Sequence, residues 1–173
     1  MAQNGNVSER RLLGPGFPDD TGLADPDVRR ALTSYGADPA LQAEALAALA
    51  GARLLVPVVA VLGEVEVGED GLARDKTSDM AAVLLEGADG RLAMLAFTGT
   101  DALAAWDPAA RPVPVAAASA AQAALQEHAA ALVVDIAGPA TYVLEGDDLV
   151  GVASGWTLTR VGDRSAWLRP DGG

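Results

Sequence analysis

Between Arg53 and Leu62 the chain reads RLLVPVVAVL, apolar at every position after the arginine. So short a run without polar alternation predicts a strand covered on both faces. Pro57 lacks the N–H that a ladder needs and points to an edge position or a bulge. The run gives way to GEVEVGEDG, where Glu64 and Glu66 alternate with Val65 and Val67 as on a half-exposed strand entering an acidic turn. DMAAVLLEGADGRLAMLAFTG then reads as a hairpin, with strands over 80–86 and 91–97 and a turn over 87–90.

Helical spacing brackets this region. Asp25 before Pro26 supplies an N-cap and a first-turn proline, and Val28, Leu32 and Tyr35 fall on one face. Asp38-Pro39 repeats the device ahead of ALQAEALAALA, which Gly51 ends. Farther on come a helix near 101–106, a proline-rich crossing DPAARPVPV and an alanine-rich helix near 119–130. A buried strand over 131–136, a second in ATYVLEG and a short helix in DDLVGVASG follow. WTLTRVGDRSAWLRP predicts a hairpin with Gly162-Asp163 at its tip. Strands grouped early and interleaved with helices later predict one α/β (α+β) domain, a mixed β-sheet flanked by helices. Its body spans 25–155, after a flexible N-terminal segment 1–24 and before a C-terminal β-hairpin and tail 156–173.

Composition changes the picture of the core. The chain has 173 residues, half of them hydrophobic but only 4% aromatic, so alanine and valine carry the interior and backbones must approach closely. A formal charge of −12 with Lys76 as the only lysine argues against nucleic acid and anionic membranes, both of which attract Lys and Arg. The absence of cysteine excludes disulfides, thiolate metal sites and persulfide chemistry, and the single histidine, His128, excludes a multi-histidine metal centre. MAQNGNVSER has no apolar core of a signal peptide, and the longest clear apolar run is far below the ~20 residues that span a bilayer. The expected location is the cytoplasm, and no cofactor is expected.

Few residues carry chemistry. Thr98 and Asp101, flanking a Gly-Thr pair, have capping-box spacing, so the turn before the helix near 101 reads as a cap. RDKTSDMA lacks the glycines of a phosphate-binding loop, with Asp75 and Asp70 where they would stand, and leaves Lys76 as a surface ion-pair partner of nearby acids. His128 falls at an exposed helix end. Glu64 with Glu66, and Asp147 with Asp148, fit a solvated strand face and a helix N-terminus and need no metal. In the terminal hairpin Trp156 faces Arg169 and Leu158 faces Trp167, on one side with Arg160. Tryptophan and arginine dominate binding hot spots, although the same face could cover the sheet. Trp106 and Arg111 make a weaker pair of this kind.

The segments RLLVPVVAVLGEVEV, DKTSDMAAVLL, DGRLAMLAFTGTDALAAWDPAARPVPV and ALVVDIAGPATYVLEGDDL occur in the order that resembles the SseB family, enhanced serine sensitivity proteins, and among them the actinobacterial branch. The resemblance implies a bacterial, cytoplasmic domain of mixed sheet and helices without an established activity. It also implies that a pocket would lie near Glu64, Lys76, Thr98 and Arg111. On this resemblance the short terminal hairpin is expected to stand where some members carry a longer second domain.

Two functions compete on these grounds. One is a non-enzymatic protein-interaction or regulatory domain, its partner a protein or a second copy of the chain, using Trp156, Arg160, Trp167 and Arg169. The other is a sensor of a small anionic ligand at Glu64, Lys76, Thr98 and Arg111. Catalysis by carboxylates and a lysine alone ranks below both.

Overall fold

The computed structural model of the chain describes residues 16–61, 79–162 and 164–170. Asp25 caps the first helix as its sequence demands, its carboxylate accepting from the Asp27 and Val28 amides at the head of α1 (Pro26–Ala37). Asp38 does the same for a 3-10 turn (Pro39–Leu41) that runs into α2 (Gln42–Ala50). Val28 and Leu32 from α1 and Ala45, Leu46 and Leu49 from α2 point into one core.

β1 (Arg53–Val61) lies between β2 (Asp79–Ala82) and β5 (Arg111–Ala116), antiparallel to both. It is therefore central, contrary to what Pro57 suggests. The Pro57 carbonyl accepts from the Val83 N–H at 3.2 Å, so the missing donor faces Val83 rather than β5. Val83 is where the chain leaves β1: its own carbonyl accepts from Leu95 N–H at 3.3 Å, and β3 (Leu84–Glu86) continues along β4 (Leu92–Ala96). A ladder donor is lost where the neighbouring strand is already changing partners. Opposite Pro57 stands Pro112, so the expected proline-rich crossing is instead strand β5, with its prolines at an edge that tolerates them.

The second sheet has the order β3-β4-β6-β7, with β6 (Ala131–Val134) and β7 (Tyr142–Glu145). A bridge from Leu55 to Phe97 ties the two sheets together. β4 and β6 are parallel, the one such pair among the described strands. α3 (Thr100–Trp106) follows β4, α4 (Ala117–Gln126) crosses from β5 to β6, and α5 (Gly146–Ala153) follows β7. α4 buries Ala117, Ala120, Ala121 and Ala124, the small-residue packing that the composition requires. His128 is exposed just beyond α4 at φ 58, closing the helix. A second, smaller cluster gathers Leu55, Leu95, Phe97 and Leu103, with Trp106 5.5 Å from the Phe97 ring. The Tyr142 ring lies 5.1 Å from that of Tyr35, tilted against it, in the main core, where burial pushes its phenol up to about 12.

β8 (Thr157–Val161) and β9 (Arg164–Leu168) form the terminal hairpin, Gly162 adopting φ 67 at its tip. Leu158 pairs with Trp167, the register that the sequence predicts. No described helix is long and apolar enough to cross a membrane.

Candidate functional site

β4 and β6 end side by side, and the residues just past the two strands build the site. After β4 come Phe97 and Thr98; after β6 comes Asp135. Asp135 is 6% exposed and accepts two hydrogen bonds from Thr98, from its N–H at 2.8 Å and its hydroxyl at 2.7 Å. Asp135 itself sits at φ 54, a left-handed conformation that aspartate and asparagine tolerate better than most residues. Its own N–H donates to Ala96 O at 3.0 Å, and its carbonyl accepts from Gly138 N–H at 2.9 Å and the Thr141 hydroxyl at 3.2 Å. The loop is pinned on every side, which holds the carboxylate where the strands end.

A cleft of about 270 Å³ opens over this pair, walled by Leu32 of α1, Ala102 and Ala105 of α3 and Pro139 of the loop. Arg29 stands in its wall and donates from Nη2 to both carboxylate oxygens of Asp101, at 2.9 and 2.7 Å. Burial pushes the Asp135 carboxyl above its ordinary value; Thr98's hydrogen bonds pull it back, the Asp101 charge raises it again and Arg29 lowers it. For Asp101, burial acts upward, but the Arg29 hydrogen bond and the Ala102 amide prevail and hold the carboxyl below its ordinary value.

The Gly99-Thr100 turn is occupied by the chain itself. No side chain caps α3, so the capping box does not form: Thr98 turns inward to Asp135 and Asp101 outward to Arg29. The Thr100 N–H donates instead to Gly22 O at 2.8 Å. Residues 20–24, within the segment expected to be a flexible lead-in, thus form a strap across the turn. Arg53 fastens it: Nη1 donates to Thr98 O at 2.9 Å and Nη2 to Leu23 O, while Nε lies 2.8 Å from Asp20 Oδ2 as an ion pair without a linear hydrogen bond. Gly22, at φ 76, is required beneath it, because a Cβ would come within 2.6 Å of Thr100 Cγ2.

Of the residues expected around a pocket, Thr98 and Arg111 fall among the described residues. Glu64 and Lys76 lie outside the described residues. Thr98 lines the cleft, but Arg111 is exposed and pairs with Val58, whereas the β1 residue touching Thr98 is Arg53. Arg53 and Val58 stand five positions apart along β1, about 17 Å at the usual rise. On the hairpin, Arg169 lies over the Trp156 ring at 4.5 Å and Arg160 reaches Glu44 of α2 at 3.5 Å. Trp167 packs on Gly151 of α5 and donates from Nε1 to Asp148 at 2.8 Å. Leu158 and Trp167 of this side pack on the domain while Arg160 and Arg169 stay exposed, and the opposite side carries the exposed Val161 and Leu168.

The SseB protein N-terminal domain matches residues 28–150. The chain belongs to the SseB family. No curated protein and no solved structure matches it. Arg29, Thr98, Asp101 and Asp135 all fall inside the stretch that defines the SseB domain, while the strap and the Trp156–Arg169 contact fall outside it. Sequence reasoning passed over Arg29 and Asp135. The available signal was a polar residue closing each of two apolar strands, LAFT and ALVVD; it becomes legible only once those strands are known to be parallel neighbours.

Proposed function

We propose that this SseB domain acts by binding rather than by turnover, as a regulatory or interaction domain whose reception site is the cleft over Thr98 and Asp135. The observation that carries this reading is its place at the carboxyl ends of the parallel pair β4 and β6. Open α/β sheets take ligands there, because helices diverge from the strand ends and leave a crevice. The polar groups present suit holding more than reacting. Thr98 already donates to a carboxylate, which is too weak a base to make a threonine hydroxyl a nucleophile, and Arg29 is engaged with Asp101. Residue usage and segment order support the actinobacterial branch and a cytoplasmic setting.

A second reading rests on the outward hairpin face, where Val161 is 63% and Leu168 54% exposed. A protein partner or a second copy of the chain would cover these side chains at little cost. The two readings separate in one experiment. A small-fragment set titrated into the ¹⁵N-labelled chain is expected to shift the amides of Thr98, Ala102 and Gly138. Shifts confined to 157–168 would move the reception site to the hairpin.

A further inference from the structure

Asp135 is a buried acid. Among the described residues no guanidinium or ammonium lies within salt-bridge distance of it. Each carboxylate oxygen accepts one hydrogen bond from Thr98 and keeps acceptor capacity for another. Arg29, the cation in the cleft wall, is spent on Asp101. The cleft therefore holds two carboxylates against one guanidinium. A buried carboxylate left in this state must take up a proton or find a positive partner, since an unpaired buried charge is costly.

The remaining walls are aliphatic, from Leu32, Ala102, Ala105, Pro139 and Ala140. A cavity of about 270 Å³ has room for roughly nine waters, the scale of a small organic molecule. The geometry points to a small primary-amine cation as the ligand of this cleft, its ammonium taken by Asp135 and Asp101 and its apolar body laid against Leu32 and Pro139. This rests on the cleft being the reception site. A compact ammonium with three donors suits free acceptor positions on two separate carboxylates, whereas a planar guanidinium favours one carboxylate at a time. An anion would face two carboxylates against a single guanidinium.

Arg29 occupies the place of a competitor. Its pair with Asp101 is surface-exposed, at 53% and 61% for the two side chains, and such pairs contribute little. An incoming ammonium exchanges one cation for another at Asp101 and adds the contact to Asp135 that Arg29 does not make.

The test uses three probes of one shape: benzylammonium, benzoate and benzyl alcohol, each titrated into the ¹⁵N-labelled chain. Benzylammonium is expected to shift the Thr98 and Gly138 amides with saturation, and the other two are not. Asp135→Asn should weaken benzylammonium about tenfold, the loss of one charge-assisted contact. Arg29→Gln should tighten it about threefold by freeing Asp101, and this gain does not depend on how Asp135 variants fold. Cleft shifts with benzoate or benzyl alcohol but not benzylammonium would overturn the inference and leave the cleft as the reception site. Silence of the cleft toward all three would overturn both. Weaker benzylammonium binding in Arg29→Gln would also overturn the inference, because Arg29 would then be holding the ligand.

Discussion

Asp135→Ala is expected to destabilise the chain by about 3 kcal/mol or more, while Asp135→Asn leaves it folded and, at neutral pH, more stable than wild type. The alanine removes both acceptors of Thr98, itself 4% exposed, so a buried N–H and a buried hydroxyl lose partners at ~1–3 kcal/mol each. Alanine at φ 54 adds about 1 kcal/mol of left-handed strain. Asparagine accepts from the Thr98 N–H through its carbonyl, donates from its amide to the Thr98 hydroxyl and is at ease in that backbone region. It also removes a charge that the interior disfavours.

The pH dependence stems from the same carboxyl. Its folded pKa is raised above the ordinary 3.8 chiefly by burial, so the native state binds the proton more tightly than the unfolded chain. That contribution to stability is complete below the ordinary value and is lost as pH rises through the folded one. Asp135→Asn should therefore gain on wild type as pH rises across this window and show no such gain below it. Urea unfolding of the three proteins between pH 3 and 8 reads the order directly. An asparagine variant that falls further behind wild type as pH rises through this window would show that the charge itself holds the strand ends together.

Gly151→Ala should cost about 2 kcal/mol, although alanine is ordinarily the better helix residue by about 1. Gly151 lies inside α5, and a Cβ there would stand 2.5 Å from Cε2 of the Trp167 indole and closer still to Cδ2. The ring cannot yield without giving up its hydrogen bond to Asp148 and its place beside Leu158 on the core. The expected result is a lower melting temperature with tryptophan emission shifted to the red as Trp167 meets water. Val150→Ala, an exposed position on the same helix, should do neither. An alanine at 151 that stabilises the chain would mean that the hairpin is not seated on α5.

How much of the fold and the site is legible in the sequence varies with the range over which the cause acts. Local devices read true: Asp25 with Pro26, Asp38 with Pro39, the turn half of the expected hairpin (Leu84–Glu86 on Leu92–Met94, its outer half having gone to β1) and the Leu158–Trp167 register each depend on neighbours in sequence. Pro57 misleads because a missing N–H matters only if an acceptor faces it, and the change of partner at Val83, 26 residues away, decides that. Thr98 misleads in the same way. Its spacing to Asp101 fits a cap, yet a buried partner 37 residues on and an arginine 72 residues back claim the two side chains. The candidate site consists of such distant pairings, and only the parallel alignment of β4 with β6 brings them together.

The central claim is that a buried carboxylate waits at the strand ends for a positive ligand. The direct measurement is the titration of the Asp135 side-chain ¹³C carboxyl resonance, alone and with benzylammonium at saturation. The account predicts a midpoint above the ordinary carboxylate range in the free chain and a fall on binding, as an ammonium favours the ionised form. A midpoint at or below the ordinary value, unmoved by the amine, would contradict it.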